Sequence, residues 1–384
     1  MEQAIGLRSV GVAAPERVLT NDHWHRNHPH VVSEAEGRIR MWQKPMEWTE
    51  GSEAFNQEMS PYVRDPFRGA RERRYLAPGE TALSLEAAAA GDALEAAGLE
   101  PKDVDLLICS SFLPDQVGVG GAAFLARELG LVGAAWNLES ACSSALIAFQ
   151  TACSLVATGQ HRNVLVVSSC TYSRATDGDD PISWGVGDAA TAMVLGRVTA
   201  GEGLLGSHSV HSAETCDAVA YHLEVGDDGE PHLKIRTGRQ TAHLLRGTSE
   251  RYLRECCGRA AAKAGVDLAD VDHFVFNTPL AWYARFCARV LGVDPRRTLS
   301  VYPLYANVGP ALLGLNLLHA AHWRKFRPQH RVLLYTVGSV SSCSASVLRW
   351  GKVGLGPLPK GATLARLEAL EADAQRRSPF ARVA

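Results

Sequence analysis

The chain has 384 residues, a hydrophobic fraction of 46%, a charged fraction of 21% and a formal net charge of −2, enough length for two packed units or one large α/β body. This near-neutral balance supplies no basic field that would draw nucleic acid or an anionic membrane, and no apolar run is long enough to cross a bilayer. Nine cysteines, odd in number and without a paired CxxC spacing, argue against a disulfide framework and a structural metal site and point to a reduced, cytoplasmic setting.

The N-terminal "MEQAIGLRSVGVAAPERV" lacks the charged start and continuous apolar core of a signal peptide. Residues 22–66, rich in His, Trp, Met and Glu, read as an irregular insertion that either covers a site or has no task. After it, "ALSLEAAAAGDALEAAG" predicts an alanine-rich helix, "VDLLICSSF" a strand and "GGAAFLARELG" a second helix; a strand, a helix and the strand "VLVVSSC" follow. Continuous apolar strands alternating with helices call for sheets covered on both faces.

The second part of the chain repeats the first. "AAGLEPKDVDLLICSS" around Gly98 and "KAGVDLADVDHFVFNT" around Gly265 share one pattern of helix end, glycine, acidic connector and buried strand, at an offset of 167 residues. Leu129-Gly130 answers to Leu291-Gly292, and "HRNVLVVSS" to "HRVLLYTVG". We therefore expect two halves of similar plan, residues 1–200 and 201–384, meeting near "GRVTAGEG". The tail segment "TLARLEALEADAQRR" predicts a helix with Leu364, Leu367 and Leu370 on one stripe, suited to docking on the body or on a neighbouring subunit.

The segment "LESACSSAL" sets Cys142 where a strand gives way to a helix, among residues too small to cover it. From Ser143 the spacing of Leu146, Phe149, Cys153 and Val156 predicts a helix closed by Gly159. Unpaired N–H groups and the helix dipole favour a thiolate at such a terminus and would lower the Cys142 pKa. Such a thiolate can take an acyl group from a thioester while backbone N–H groups hold the oxyanion. Most cysteines in apolar surroundings are inert, and Cys153 and Cys170, inside a helix and a strand, are read as packing residues. Asn307, in "LYANVGPALL", occupies the place in the second half that Cys142 holds in the first.

The stretch "NLESACSSALIAFQTACSLVATGQHRNVLVVSSC" with "VGDAATAMVL", the upstream "RGARERRYLAPGETALSLEAAAAGDALEAAGL" and the downstream "YANVGPALLGLNLLHAA" and "RVLLYTVGSVSSCSASVLRW" resemble the ketoacyl-ACP synthase III branch of the thiolase-fold superfamily. The resemblance implies a five-layered αβαβα fold and a homodimer. It also implies a cysteine thioester loaded from acyl-CoA or acyl carrier protein, with no separate cofactor. It puts Cys142 at the acyl-accepting cysteine, Asn307 at the asparagine of the usual Cys-His-Asn triad, and the backbone N–H groups of Cys142 and Gly338, in Gly338-Ser339-Val340, at the oxyanion site.

At the histidine position the pattern departs, because Asn277 stands there. An amide donates a hydrogen bond but is no base near pH 7. His273 lies four residues earlier, about 13 Å along a strand, and His208, His211, His222 and His243 have no assigned place. The tryptophan that stacks on CoA adenine in the family has no clear match, Trp48 being similar only in context, which favours a carrier-protein thioester. The expected function is an acyltransferase or condensing enzyme, as in polyketide or other specialised metabolism, with Cys142 loaded and Asn307 and Asn277 orienting the acceptor. The alternatives are a decarboxylative ketosynthase with an atypical triad and a non-catalytic partner subunit.

Overall fold

The computed structural model describes residues 4–41, 53–216, 218–226, 228–238, 240–339 and 342–377. The first half runs β1 (Ile5–Ala13), β2 (Val18–Thr20), α1 (Asn21–Asn27), α2 (Pro29–Met41), α3 (Glu53–Met59), β3 (Glu72–Arg74), α4 (Ala82–Ala97), β4 (Leu106–Phe112), α5 (Ala122–Leu129), β5 (Ala134–Asn137), α6 (Ser144–Ala157), β6 (Val164–Thr171) and β7 (Asp188–Arg197). The second runs β8 (Gly203–His211), β9 (Val219–Val225), β10 (Pro231–Thr237), α7 (Thr241–Ala264), β11 (His273–Phe276), α8 (Tyr283–Leu291), α9 (Tyr302–Tyr305), α10 (Ala311–His322), β12 (Arg331–Gly338), β13 (Ser342–Arg349), β14 (Gly354–Leu355) and α11 (Leu364–Arg377).

Two sheets of the same plan result. One has the order β14-β1-β7-β6-β4-β5 and the other β11-β12-β13-β8, so β4, β6, β7 and β1 answer to β11, β12, β13 and β8. In both, a parallel pair is followed by two antiparallel neighbours. Even the β4–β5 pairing has a remnant in the second half, an isolated parallel bridge between Phe274 and Thr298.

Side-chain alternation along these strands sorts the core into layers. Leu106, Ile108, Val164 and Val166 face inward onto α6 and α10, together with Val275, Val332 and Leu334 of the other sheet. Leu107, Cys109, Leu165 and Val167 point outward onto α4 and α5, and Phe274, Phe276, Leu333 and Tyr335 point onto α7 and α8. Helix, sheet, helix pair, sheet and helix therefore stack as αβαβα, as the sequence leads one to expect. Helix α10 is buried from Ala311 to Ala320, which explains its lack of a polar face.

The segment expected to be irregular is helical where it is described. Trp24 on α1 is fully buried, with the Arg73 guanidinium 4.6 Å from its ring and Phe67, Tyr75, Val31 and Val32 around it. The cause is tertiary: α1 and α2 have their apolar residues covered by a satellite core that the local pattern does not announce. The tail helix α11 docks on the body through Leu367, and Arg366 pairs with Glu72 on β3. Among the described residues no helix is long and apolar enough to cross a membrane.

Helix and sheet approach closely at Gly314 on α10, where a Cβ would lie 1.8 Å from Oγ1 and 2.6 Å from Cβ of Thr191 on β7. Gly314→Ala is expected to destabilise the fold by about 1–3 kcal/mol through overpacking, read as a lower urea midpoint with an unchanged slope.

Candidate active site

Cys142 lies in the turn between β5 and α6, just ahead of the first helical residue, Ser144. The turn is strained: Ala141 has φ of 50°, a left-handed conformation that a residue with a Cβ seldom adopts. Serines hold it there. Ser144 Oγ accepts from the Ser140 N–H at 2.7 Å and donates to the Ala141 carbonyl at 2.6 Å. Ser140 Oγ lies 2.6 Å from Ser342 Oγ, and Ser143 Oγ donates to the Ser342 carbonyl at 2.8 Å, tying the turn to the first residue of β13 in the opposite half. The small residues around the cysteine are thus a hydrogen-bonded clamp.

Gly338, at the end of β12, closes the site from that opposite half. A Cβ on it would stand 2.8 Å from the Ser140 carbonyl oxygen and 2.9 Å from the amide nitrogens of Cys142 and Ser143, so glycine is required for the two backbones to meet. Next to it, Ser339 has φ of 47° and turns its N–H toward the Cys142 sulfur. Residue Val340 lies outside the described residues, as does Trp48.

The side chain that meets the sulfur is Tyr172, its hydroxyl 3.9 Å from Sγ. Burial pushes the Cys142 thiol up to about 11, while hydrogen bonds from Tyr172, the Ser339 N–H and its own N–H pull it down. This corrects the depressed pKa expected from the helix terminus. The field of a helix end is worth about 0.3–2 kcal/mol, and desolvation of the thiolate opposes it. Cys153 and Cys170 are buried with pKa values raised by the same cause, as packing thiols should be.

Asn307 follows Ala306, another left-handed residue with φ of 57°. Its backbone exchanges hydrogen bonds with Gly185 and Gly187 just ahead of β7, and its Oδ1 accepts from the Gly309 N–H at 2.9 Å, leaving the amide NH2 as the donor of the side chain. Gly309 in turn faces the Cys170 sulfur and Phe112. Asn277 is turned otherwise. Fully buried beyond the end of β11, its Nδ2 donates to the Val337 carbonyl at 3.0 Å and its Oδ1 accepts from the Val337 N–H at 3.1 Å. The amide extends the sheet by one side-chain rung and fixes the strand end that carries Gly338.

None of the five candidate histidines meets the sulfur. His273 begins β11 against Phe326, and burial lowers its pKa to about 4; His208 lies on β8, 3.8 Å from Glu255 on α7. His211, His222 and His243 are exposed. Tyr172 and Tyr221 were not singled out from the sequence. Tyr221 sits on the β9–β10 hairpin, which packs with Ile235 against Cys170 and Tyr172. The signal available was "CTYSR" directly after a buried strand; nothing local marked Tyr221.

A doubled αβαβα body with a cysteine at the head of one central helix and a glycine from the other half against it defines the thiolase fold. The family model for 3-oxoacyl-[acyl-carrier-protein] synthase III matches residues 136–213, and the model for the C-terminal part of that enzyme matches residues 261–350. The beta-ketoacyl-[acyl-carrier-protein] synthase III of Gloeobacter violaceus is 30% identical over 361 residues, covering 91% of this chain and 99% of its own. One from Deinococcus radiodurans is 27% identical, covering 91% and 94%. The crystal structure of 3-oxoacyl-(acyl carrier protein) synthase III from Pseudomonas aeruginosa superposes with a TM-score of 0.73 at 22% identity, over 91% of this chain and 99% of that one. OleA from Xanthomonas campestris also gives 0.73, at 18% identity, over 91% and 99%. The chain belongs to the ketoacyl-ACP synthase III family.

With its pKa near 11, Cys142 should be alkylated by iodoacetamide at a rate that climbs about tenfold per pH unit from 7 to 10, because only the thiolate reacts. Peptide mapping of the labelled sulfur against time checks this; a plateau below pH 9 would contradict the buried setting.

Proposed function

We propose that this protein is a thioester-dependent acyltransferase or condensing enzyme in which Cys142 takes an acyl group from CoA or acyl carrier protein and passes it to an acceptor. The observation that carries the reading is the placement of Cys142: a strained turn at a helix head, held against Gly338 of the opposite half, in a member of this family. The thioester carbonyl would rest on the backbone N–H groups of Cys142 and Gly338. The Asn307 amide is the donor assigned to orient the acceptor or its carbonyl. Asn277, expected to share that task, is assigned instead to positioning, since its Oδ1 and one of its two Nδ2–H groups pair with Val337.

Loading needs no cofactor beyond the phosphopantetheine arm of the substrate. The OleA structures include a cysteine-to-serine variant with bound lauric acid and lauroyl-CoA, which supports an acyl thioester as the class of donor. With Asn277 where an imidazole would stand, transfer without decarboxylation, as in polyketide or other specialised biosynthesis in the cytoplasm, suits the site better than malonyl decarboxylation. The second reading, a decarboxylative C–C bond-forming synthase, is favoured by the names of the relatives.

We further propose a homodimer built on β5. This edge strand is exposed along its length, with Trp136 38% and the nearby Val132 87% accessible, and an open edge is a template for pairing with a second copy.

Intact-protein mass after incubation with acyl-CoA and acyl carrier protein thioesters is expected to show an adduct on the wild type and none on Cys142→Ala. Absence of any adduct on folded wild type would favour a non-catalytic partner subunit. For the assembly, Trp136→Asp is expected to convert a dimer to a monomer in sedimentation velocity; a monomeric wild type would refute the β5 interface.

A further inference from the structure

The site lacks the imidazole that would serve the sulfur, and another polar side chain stands at that atom. Tyr172 is buried at the end of β6, its hydroxyl 3.9 Å from Cys142 Sγ. Its surroundings fix the ring. Phe112 packs edge-on at 6.3 Å between centroids, and Phe112 also meets Tyr221 edge-on at 6.1 Å. The turn after Tyr172 is pinned by Asp188, whose carboxylate accepts from the Ser173 N–H at 2.9 Å and from the Ser173 hydroxyl at 2.5 Å. The same carboxylate accepts from the Leu76 N–H at 2.8 Å. A buried carboxylate with three donors is a costly way to place a turn unless the residue before it must be placed well. Tyr221 brings a second hydroxyl to the same cluster, in hydrogen-bond contact with Tyr172.

We propose that Tyr172 is a catalytic residue of the loading step, serving the Cys142 sulfur as hydrogen-bond and proton-transfer partner in place of an imidazole. The inference rests on the acyl-loading function proposed above. In the step, Sγ attacks the thioester carbonyl; a carbon–sulfur bond to Cys142 forms and the one to the pantetheine sulfur breaks. Tyr172 accepts the proton leaving Sγ and passes its own hydroxyl proton to the departing pantetheine sulfur, so that the thiol product and an unchanged tyrosine remain. No external base and no net charge enter the pocket.

Tyr172→Phe keeps the ring and removes only the oxygen. Loading of Cys142, followed by intact-protein mass, is expected to slow at least tenfold with little change in the donor concentration giving half-maximal rate, since the lost bond is one made to a developing charge. Iodoacetamide alkylation at pH 9, which needs no acyl donor, is expected to slow about tenfold for the same reason. Equal rates for wild type and Tyr172→Phe in both assays would overturn the proposal and leave Tyr172 a packing residue. Should wild type accept no acyl group while alkylation still falls in the variant, the acyl-loading reading fails and the service of Tyr172 to the sulfur stands. If Tyr172→Phe does not fold, loading by wild type in D2O decides: slowing supports a proton in flight, and an unchanged rate overturns it.

Discussion

Everything at this site depends on one close approach between the two halves, the end of β12 against the Cys142 turn. Gly338 lets the backbones meet, and Ser140 and Ser143 bind Ser342 across the gap. The consequence is that neither half holds a finished site. The first supplies sulfur, helix terminus and tyrosine; the second supplies the glycine that makes room and the Ser339 N–H that faces the sulfur. The central α6–α10 layer, with its continuous apolar core, is what holds that register.

Three of the seven described non-glycine residues with positive φ flank the candidate site residues. Ala141, Ala306 and Ser339 all have positive φ, and each is the immediate neighbour of Cys142, Asn307 or Gly338. A non-glycine residue in such a conformation costs of order 1–3 kcal/mol and persists only where its surroundings over-determine it. Here the serine clamp, the Asn307 bridge just ahead of β7 and the Asn277–Val337 pair do so. Asn277 is the instructive case. Its place in the sequence suggested an amide that orients the acceptor; its geometry pairs that amide, donor to acceptor, with the Val337 backbone.

The sequence carried the parts of the fold that are local or periodic. Apolar strands, alanine-rich helices with glycine stops and the 167-residue offset are all readable from neighbours along the chain, and they assemble as read. The helix beginning after Cys142 was legible for the same reason. Tyr172 and Tyr221 were not, because they converge from a strand end and a hairpin about 50 residues apart that share no pattern. Nor was the sign of the thiol shift: the helix terminus is visible in the sequence, but the burial that outweighs it is made by the tertiary fold. In residues 22–66 the error ran the other way, since Trp24 and its partners stabilise short helices through contacts with Arg73 and Trp184 that lie far along the chain.

A thiol with a pKa near 11 poses a definite chemical demand. At pH 7 ionising it outright costs about 5 kcal/mol, at 1.36 kcal/mol per pKa unit. About half of that is what an ordinary thiol costs, and the rest is the net effect of burial over the donors around the sulfur. Burial therefore favours the protonated sulfur, while the Cys142 residue stays partly accessible. It must lose its proton as the new carbon–sulfur bond forms rather than before. In the acyl transfer proposed above, selectivity would reside in binding, because a thioester whose carbonyl is seated on the backbone donors would draw the proton off as the carbon–sulfur bond forms.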